Sequence, residues 1–450
     1  MPLECLDTGR SLGNLAFNRE KWQLAIEGYE KAIEAVETSR LEALNPQRRQ
    51  EILSAAIDVY HGIVQSYINL NQPDKALEYV ERSKNRELVE LLSNRNFYPQ
   101  GISEDVKDKL DRRRRAIVSE GNRLAIEERN KRQNSEQAIP LDYTKFNQLK
   151  KELYGFIARE ITPISPTFSL TQKVEVITFS EIQSLIDEQT TILEWYITGD
   201  RILTFLVTHH SRHPQIWQSS TEDWTNFRNW VDEYLQTYFT NRQHNRQHNR
   251  QQWIAKLETS LPKLAEILHL EEILSLVPQE CARLILIPHR FLHILPLHAL
   301  PVSPQIGRGV GDEGKYLLDL FPRGVQYAPS CQLLKLAQSQ QRPDFRNLFA
   351  IQNPTEDLIY TDLEVETIRS FFPYAEVLVK QAASEASLKL HENLPLANCV
   401  HFSCHGTFNP ISPLESALVL SKDEANKEDG YLTLAEIFEL SLECCRLVTL

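Results

Sequence analysis

The sequence predicts two kinds of fold within one chain: an all-α N-terminal region of helical repeats and an α/β C-terminal region with a largely parallel sheet. In the first hundred residues, small and aromatic side chains recur three or four positions apart, which is the spacing of one helical face. From about Glu175 onward, short apolar runs alternate with helical segments, and strands joined through helices run parallel. A chain of 450 residues is also too long for one ordinary core.

Residues 1–95 are predicted to form tetratricopeptide-like helical repeats. The pattern of small and aromatic residues from Ala25 to Ala32 returns from Ala76 to Ser83. Small residues allow two helices to approach closely, and an aromatic ring fills the space beside them. The offset of 51 residues between Ala25 and Ala76 exceeds the ~34 residues of this repeat, so an irregular helical bundle is the alternative.

Residues 103–165 are predicted to form a pair of long helices that links the two regions. Apolar residues at helical spacing mark both helices, and Pro163 and Pro166 end the segment. The four basic residues Arg112–Arg115 are interpreted as a solvated helix face, because acidic residues surround them. A docking patch for an acidic partner is the alternative.

Residues 175–450 are predicted to form one α/β domain. The runs Thr191–Ile197 and Ile202–Thr208 are rich in β-branched and aromatic residues and predict a β-hairpin around Gly199–Asp200. Trp224–Leu276 is predicted to be helical. Four further apolar runs predict strands: Leu284–Ile287, Leu348–Ile351, Cys399–Phe402 and Leu447–Leu450. The remaining predicted helices are Cys331–Gln338, Asp362–Phe372, Ser384–Glu392 and Thr433–Leu440.

Composition and charge exclude several classes of protein. The net charge of −12 argues against binding to duplex nucleic acid, because phosphates require a basic face. Seven scattered cysteines without a C-x-x-C pair indicate a reducing environment rather than a disulfide framework. The N-terminus lacks the pattern of a signal peptide, and no apolar run approaches the ~20 residues that span a bilayer. We therefore expect a cytoplasmic protein without membrane association.

Six motifs follow one another in the C-terminal region. They are Leu284–Leu300, Gly324–Ser330, Leu348–Pro354 with Leu363–Glu366, Val400–Gly406 with Pro413–Leu420, Tyr431–Phe438 and Arg446–Leu450. In this order they resemble a CHAT domain of the caspase–separase peptidase clan. The sharpest motif is Val-His-Phe-Ser-Cys-His-Gly at residues 400–406. The resemblance covers residues 175–450, and CHAT domains commonly follow helical repeats.

The resemblance implies a caspase-like cysteine peptidase with a His–Cys dyad on a parallel sheet and a polypeptide substrate. It places the catalytic histidine at His405, directly after the strand Cys399–Phe402, where ligands bind in open α/β sheets. In this role His405 assists the thiol and protonates the leaving amine. Gly406 has no side chain, so its backbone N–H is expected to approach the oxyanion of the substrate closely.

The same resemblance places the nucleophilic cysteine in a turn after the strand Leu447–Leu450. Because the sequence stops at Leu450, we expect a chain truncated before its nucleophile and without peptidase activity as given. Two functions stay open. One is a peptidase module regulated by a protein or peptide partner on its helical repeats, and the other is a non-catalytic interaction scaffold. A continuation of the coding sequence with a Ser-Ala-Cys turn favours the first.

The other cysteines and histidines near His405 are interpreted as structural. Cys404 is expected to point away from its neighbour and to be buried, since adjacent side chains at a strand end diverge. Cys444 and Cys445 precede the final strand, so they are expected at its opposite end. His401 and His405 have the spacing of a zinc pair, but that pairing needs a helix, and His401 is interpreted as a hydrogen-bonding residue.

No cofactor and no metal are expected. His244 and His248 lie in the tandem repeat NRQHNRQHNRQ, which is interpreted as a polar surface loop. Gly307–Gly314 is rich in glycine but lacks the flanking strand and helix of a phosphate-binding loop, so it is interpreted as a flexible loop. His293 and His298 are interpreted as packing residues in a turn.

Overall fold

Two compact units, Met1–Gln338 and Ser339–Leu450, make up the computed structural model of this protein. The residues described are 2–39, 46–93, 102–133, 142, 144–164, 168, 176–243, 246–303, 316–339, 345–409, 412–423, 429–438, 440, 442 and 444–450. The division falls inside the predicted domain of residues 175–450, and the predicted domain boundaries stay predictions. Among the described helices, none combines the length and the apolar character that crossing a bilayer requires.

Four helices form the N-terminal part of the first unit, as the helical spacing predicts. They are α1 (Pro2–Phe17), α2 (Trp22–Ser39), α3 (Pro46–Asn69) and α4 (Pro73–Ser93). Small residues let α1 and α2 pack closely, because a Cβ added at Gly28 would stand 2.6 Å from the backbone nitrogen of Gly13. The ring of Tyr29 lies beside this contact and against Gly62. These helices pack as the pattern predicts, while their membership of the tetratricopeptide family stays a prediction.

The next two helices form a pair with a core of their own. Helix α5 (Glu104–Gln133) packs against α6 (Thr144–Phe156), and α6 continues as one π-helical turn, Ile157–Ile161. Leu110 and Ile117 of α5 meet Phe146 and Leu153 of α6 in this core, so the two apolar stripes face each other.

The basic run on α5 is only partly a solvated face. Arg112 and Arg115 lie at the surface, where each donates to a backbone oxygen one turn earlier. The guanidinium of Arg113 instead lies 4.2 Å from the ring centre of Phe156, and Arg114 stands over Phe168 at 5.7 Å. The interpretation of all four residues as solvated is therefore wrong for two of them, because a guanidinium gains from lying on an aromatic face.

A five-stranded mixed sheet occupies the rest of the first unit. Its order is β3-β2-β1-β4-β5, with β1 (Thr190–Ile197), β2 (Ile202–Val207), β3 (Gln215–Gln218), β4 (Arg283–Ile287) and β5 (Val325–Tyr327). The predicted hairpin is confirmed, since β1 and β2 pair antiparallel. Strands β1, β4 and β5 run parallel to one another. The helices of this part are α7 (Phe179–Gln183), α8 (Thr221–Gln243), α9 (Arg246–Ile267), α10 (Leu270–Ser275) and α11 (Cys331–Ser339).

Strand β1 is buried along its whole length and separates two cores. Ile192 and Tyr196 face α1–α4 and belong to one hydrophobic core with Tyr29 and Val80. On the opposite face, Trp195 packs among residues of α8, α9 and α10. The four N-terminal helices and the sheet therefore share a continuous core within one unit.

A four-stranded parallel sheet is the centre of the second unit. Its order is β12-β8-β6-β7, with β6 (Asn347–Gln352), β7 (Tyr374–Val379), β8 (Cys399–Ser403) and β12 (Leu447–Thr449). A small antiparallel sheet, β11-β10-β9, consists of β9 (His405–Thr407), β10 (Ala417–Val419) and β11 (Tyr431–Thr433). The helices are α12 (Thr361–Arg369), α13 (Glu385–Lys389) and α14 (Leu434–Ile437). An all-α region followed by an α/β region with parallel strands confirms the predicted fold class.

Short 3-10 turns complete both units. They are Arg290–Ile294, Leu297–Ala299 and Leu317–Leu320 in the first unit, and Lys380–Ala382, Leu394–Leu396 and Pro413–Glu415 in the second.

The close contact between α1 and α2 makes a testable prediction. In Gly28→Ala the new methyl group meets backbone atoms of Gly13 at 2.6 and 2.9 Å, so the helices must separate. We expect a loss of about 1–3 kcal/mol in the free energy of unfolding, measured by urea denaturation followed by circular dichroism.

Gly155→Ala is the matched control on a helix with more room. Among the described residues, the nearest atom to its Cβ is an Arg159 guanidinium nitrogen at 3.4 Å, so we expect no loss and a gain of up to about 1 kcal/mol. Equal urea midpoints for Gly28→Ala and the unchanged protein would contradict the close packing.

Candidate active site

His405 lies just beyond the carboxyl end of β8, the second strand from the edge of the parallel sheet. The apolar residues of β8 are buried, and the polypeptide then turns at Cys404 into the short strand β9. There His405 pairs with Val419 of β10, which fixes its backbone. The side chain of His405 is 37% exposed, so solvent and a ligand can both reach the imidazole.

A carboxylate that the sequence analysis did not single out faces His405. Asp357 follows β6, the strand paired beside β8, and both of its carboxylate oxygens lie 3.0 Å from Nε2 of His405. The hydroxyl of Thr355 donates to the same carboxylate at 2.5 Å. The Thr355 hydroxyl first, and His405 second, hold the pKa of Asp357 below its usual 3.8, so the carboxylate stays ionised at neutral pH.

The loop that carries Asp357 is closed by the side chain of Asn353. The Asn353 amide donates to the carbonyl oxygen of Leu358 at 3.1 Å, and the backbone N–H of Leu358 donates back to the Asn353 side-chain oxygen at 3.1 Å. The backbone N–H of Asn353 also donates to the carbonyl oxygen of Ser403 at the end of β8. Asn353 has a positive φ of 48°, a conformation that asparagine tolerates better than most residues. These bonds hold Asp357 beside the strand that leads to His405.

His401 has a structural role in the sheet, in agreement with its interpretation from the sequence. It is buried in β8, and Thr449 of the neighbouring strand β12 lies 2.7 Å from its Nδ1. Burial lowers the pKa of His401, an effect that Glu364 opposes from 3.9 Å. The two histidines of the H-x-x-x-H pattern therefore bond to different partners, His401 to Thr449 and His405 to Asp357.

At Gly406 the fold leaves room for a side chain. A Cβ added there would meet no atom of the described residues closer than 3.9 Å, at the Ala417 carbonyl oxygen. The packing of the protein therefore does not require glycine at this position. The suggested contact of its N–H with a substrate oxyanion stays a prediction.

Cys404 adjoins His405 in sequence but has an unreactive thiol. It is partly buried, and this burial raises the pKa of its thiol to about 11, although a hydrogen bond with the backbone of Val419 opposes the shift. The thiolate is the nucleophilic form of cysteine, so Cys404 is almost entirely in the unreactive form at neutral pH.

Three further cysteines lie at the amino end of the parallel sheet. Strand β12 pairs with β8 so that Leu447 is opposite Cys399, and Cys444 and Cys445 precede this pair. Cys399 is the first residue of β8 and Ser403 is the last, so their Cα atoms lie roughly 13 Å apart at ~3.3 Å per residue, and His405 follows beyond the Ser403 end. The expected position of Cys444 and Cys445 at the end opposite the candidate site is therefore confirmed.

The other histidines singled out from the sequence belong to the first unit or lie outside the described residues. His293 and His298 of the first unit line an open cavity of about 650 Å³, where His298 Nδ1 lies 3.0 Å from the Tyr327 hydroxyl. Burial first, and Lys84 second, lower the pKa of His293 to about 4. His244, the side chain of His248 and the residues 307–314 lie outside the described part of the chain.

Comparison with known proteins finds a family match in the C-terminal part of the chain. Residues 258–450 match the model of the CHAT domain family. The crystal structure of the Saccharomyces cerevisiae separase–securin complex at 2.6 angstrom resolution is similar with a TM-score of 0.37 and 9% sequence identity. The alignment covers 94% of this chain and 36% of that chain, so the chain spans about a third of that structure's length. Comparison with curated proteins gave no match.

The His405–Asp357 pair makes a prediction about the proton on the imidazole. Because Nε2 faces the carboxylate, the neutral ring is expected to carry its proton on Nε2 and to leave Nδ1 bare. Nitrogen-15 chemical shifts at alkaline pH measure this tautomer. We expect Asp357→Ala to remove the preference and Asp357→Asn to retain part of it, since the amide oxygen still accepts one hydrogen bond.

His213 provides a matched control with the opposite arrangement. Its Nδ1 lies 2.9 Å from both carboxylate oxygens of Asp74, so its neutral ring is expected to carry the proton on Nδ1. The Asp357 variants should leave His213 unchanged. An equal mixture of tautomers at His405 in the unchanged protein would show that Asp357 does not hold the ring.

Proposed function

We infer from the CHAT domain at residues 258–450 that this chain is a caspase-like cysteine peptidase module with a polypeptide substrate and His405 as its acid–base group. The observation that carries the proposal is the half-exposed imidazole of His405 at the carboxyl end of a parallel strand, held by the Asp357 carboxylate at 3.0 Å. Ligands of open α/β sheets bind at this edge.

The chemistry assigned to His405 follows from which ring nitrogen is engaged. Nε2 bonds to Asp357, so Nδ1 is the nitrogen that takes the proton of an attacking thiol. The same nitrogen then gives the proton to the amine that leaves the cleaved peptide bond. The anionic Asp357 stabilises the imidazolium that exists between these two steps, and we assign the oxyanion contact to the N–H of Gly406.

The nucleophile of this reaction is, in our proposal, none of the seven cysteines of residues 1–450. The thiol of Cys404 has a pKa of about 11, and Cys399 has the same value mainly because it is buried. Cys444 and Cys445 precede the amino end of the sheet, and Cys281 and Cys331 are buried. We therefore propose that these 450 residues by themselves have no peptidase activity.

We further propose that a protein or peptide partner binds the N-terminal helices and regulates the module. The support is that α1–α4 share their core with the five-stranded sheet, so a ligand that shifts these helices also acts on the sheet.

We also propose a cytoplasmic location. The absence of a disulfide among the seven cysteines fits a cytoplasmic protein.

A non-catalytic interaction scaffold is the second candidate function. The observation that favours it is that each cysteine thiol near His405 is buried or lies at the other end of the strand. The two functions differ in where they place a bound peptide, which is beside His405 in a peptidase module and on the helices in a scaffold.

The absence of activity is tested with a thiol-reactive peptidyl probe on the purified chain. We expect no labelling that depends on His405, so the unchanged protein, His405→Ala and Cys404→Ser should give the same low background. Stoichiometric labelling of one cysteine that disappears in His405→Ala would overturn this expectation. Loss of labelling in Cys404→Ser as well would identify Cys404 as the nucleophile.

The peptidase module and the scaffold are distinguished by ethoxycarbonylation of histidines with diethyl pyrocarbonate in the presence of a peptide library. For a peptidase module we expect bound peptides to slow modification of His405 and to leave His213 unaffected. His213 is the control because it is also exposed and also paired with a carboxylate. Peptide binding without protection of His405 would favour the scaffold.

A further inference from the structure

Helix α4 presents a row of polar side chains that is buried against the sheet of the first unit. Glu78, Glu81, Ser83 and Lys84 are all less than a tenth exposed. Glu78 accepts the backbone N–H of Phe179 at 3.1 Å, and Ser83 accepts the hydroxyl proton of Tyr196 at 3.0 Å. Buried polar groups of this kind persist only when each is matched, so the partners of Glu81 and Lys84 decide the energetics of this contact.

Glu81 caps the first turn of α11. Its two carboxyl oxygens accept the backbone N–H groups of Cys331 at 2.9 Å and Gln332 at 3.1 Å. These N–H groups have no acceptor within their own helix, and the amino end of a helix favours a negative or strongly accepting group. Glu81 is fully buried, so it has no solvent to stabilise its charge.

Lys84 pairs with a second fully buried carboxyl group, that of Glu194 in β1. The Lys84 ammonium lies 2.9 Å from Glu194 Oε1 and donates to the carbonyl oxygens of Ile287 and Pro288 at the end of β4. The Lys84 ammonium therefore has three oxygen acceptors in this buried place. Glu194 faces α4 because it lies between Ile192 and Tyr196 on the same face of β1.

The cluster has two carboxyl groups and one ammonium group, so its charges do not cancel when both carboxyl groups are ionised. One side-chain atom of each of Glu81, Glu194 and Cys331 lies within 4.8 Å of the other two, and the Lys84 ammonium pairs with Glu194. With both carboxyl groups ionised, the buried cluster would carry a net charge of about −1. Two carboxylates this close in a buried site cannot both ionise without a large cost. One added proton makes the cluster neutral.

We propose that Glu81 and Glu194 share one proton at neutral pH, and that this proton holds α4 against β1 and α11. The proton occupies a hydrogen bond between the two carboxyl groups, in which one acts as donor and the other as acceptor. The Glu81 oxygens still accept the two N–H groups of α11, because a protonated carboxyl oxygen retains a lone pair. Raising the pH removes the proton, leaves a buried negative charge and weakens the contact of α4 with the sheet.

The other titratable groups around the cluster do not supply the missing positive charge. Burial first, then Glu81 and Glu194, raise the pKa of the Cys331 thiol, which stays protonated and uncharged. Burial first, and Lys84 second, lower the pKa values of His289 and His293, so both imidazoles are neutral. Burial first, then Glu194, raise the pKa of Glu81 well above its ordinary 4.5, which agrees with a retained proton.

A bound metal ion is the alternative occupant, since two carboxylates and a thiol could coordinate one. Two features of the cluster favour the proton. Both oxygens of Glu81 already accept backbone N–H groups, and the Lys84 ammonium stands where a metal would be repelled by its charge. The metal is therefore kept as an outcome of the test.

The direction of the pH effect follows from the raised pKa of Glu81. A carboxyl group that holds its proton more tightly in the folded state stabilises that state fully below its ordinary pKa of 4.5. This stabilisation is lost as the pH rises toward the pKa of the folded state. For one proton, the equilibrium constant for folding falls by up to about tenfold per pH unit. The relevant window begins above pH 4.5 and extends up to the pKa of Glu81 in the folded protein.

Glu194→Gln is the variant that removes the need for the proton and keeps the geometry. Its amide donates to Glu81 and its oxygen still faces Lys84, so Glu81 and Lys84 alone give a neutral cluster. In infrared spectra at neutral pH we expect a protonated-carboxyl band in the unchanged protein that is missing in Glu194→Gln. Glu81→Gln should also lack the band. Glu78→Gln should retain it, because the Glu78 carboxylate pairs with Lys75 on the same helix and not with the cluster.

Hydrogen exchange of the backbone amides of α4, Cys331 and Gln332 measures how readily α4 separates from the sheet and from α11. We compare the unchanged protein with Glu194→Gln at each pH, so that the chemical exchange rate cancels. Opening in the unchanged protein should increase by up to about tenfold per pH unit relative to Glu194→Gln. If the variants do not fold, the unchanged protein alone must lose the infrared band and the protection of α4 over the same pH range.

Two results would overturn the proposal. One is the absence of any protonated-carboxyl band that depends on Glu81 and Glu194. The other is a stoichiometric divalent metal in the unchanged protein that is lost in Glu194→Gln, which would assign the cluster to a metal ion instead.

Discussion

The contact between helix α4 and the five-stranded sheet is the constraint on which the first unit depends. A helix that places two glutamates and a lysine on its buried face can pack there only if each charge finds a partner. Glu81 finds two N–H groups of α11, and Lys84 finds Glu194 and two carbonyl oxygens at the end of β4. Around these polar contacts, apolar residues of α1–α4 and of the sheet form a continuous core. The N-terminal helices and the sheet therefore belong to one compact unit.

The candidate site of the second unit arises from the geometry of parallel strands. Strands β6 and β8 are neighbours that run in the same direction, so the loops after them meet at one edge of the sheet. This arrangement brings Asp357 and His405 together although 48 residues separate them in the sequence. The Asn353 side chain and its backbone bond to Ser403 fix the first loop against the second strand. These bonds hold the carboxylate of Asp357 in place, and the carboxylate in turn orients the ring of His405.

The sequence predicted the helices and strands in which apolar residues recur at regular spacing, and it missed the elements that lack such a pattern. The helical regions were predicted without the bounds of their separate helices, and the buried strands β1, β4, β6 and β8 were predicted within a few residues. The strands β3, β5, β9, β10 and β11 were not predicted, because they have three or four residues and most of these are partly exposed. Strand β7 has six residues but was also missed, because only Leu378 in it is buried. The charged residue Glu194 within an apolar strand was a signal of a buried ion pair that the pattern alone did not identify. Asp357 had a weaker signal, an acidic residue shortly after a strand end.

By itself, the sequence determined the periodicities, the hairpin turn and the position of His405 directly after a strand, because each depends on residues close together along the chain. The tertiary structure alone decided which groups those residues meet. It paired His405 with Asp357, placed Glu194 against Glu81 and Lys84 over 113 and 110 residues of sequence, and placed two arginines of a basic run on aromatic rings. Such pairings depend on strand order, register and helix packing, and the energies of charged groups depend on the burial that these create.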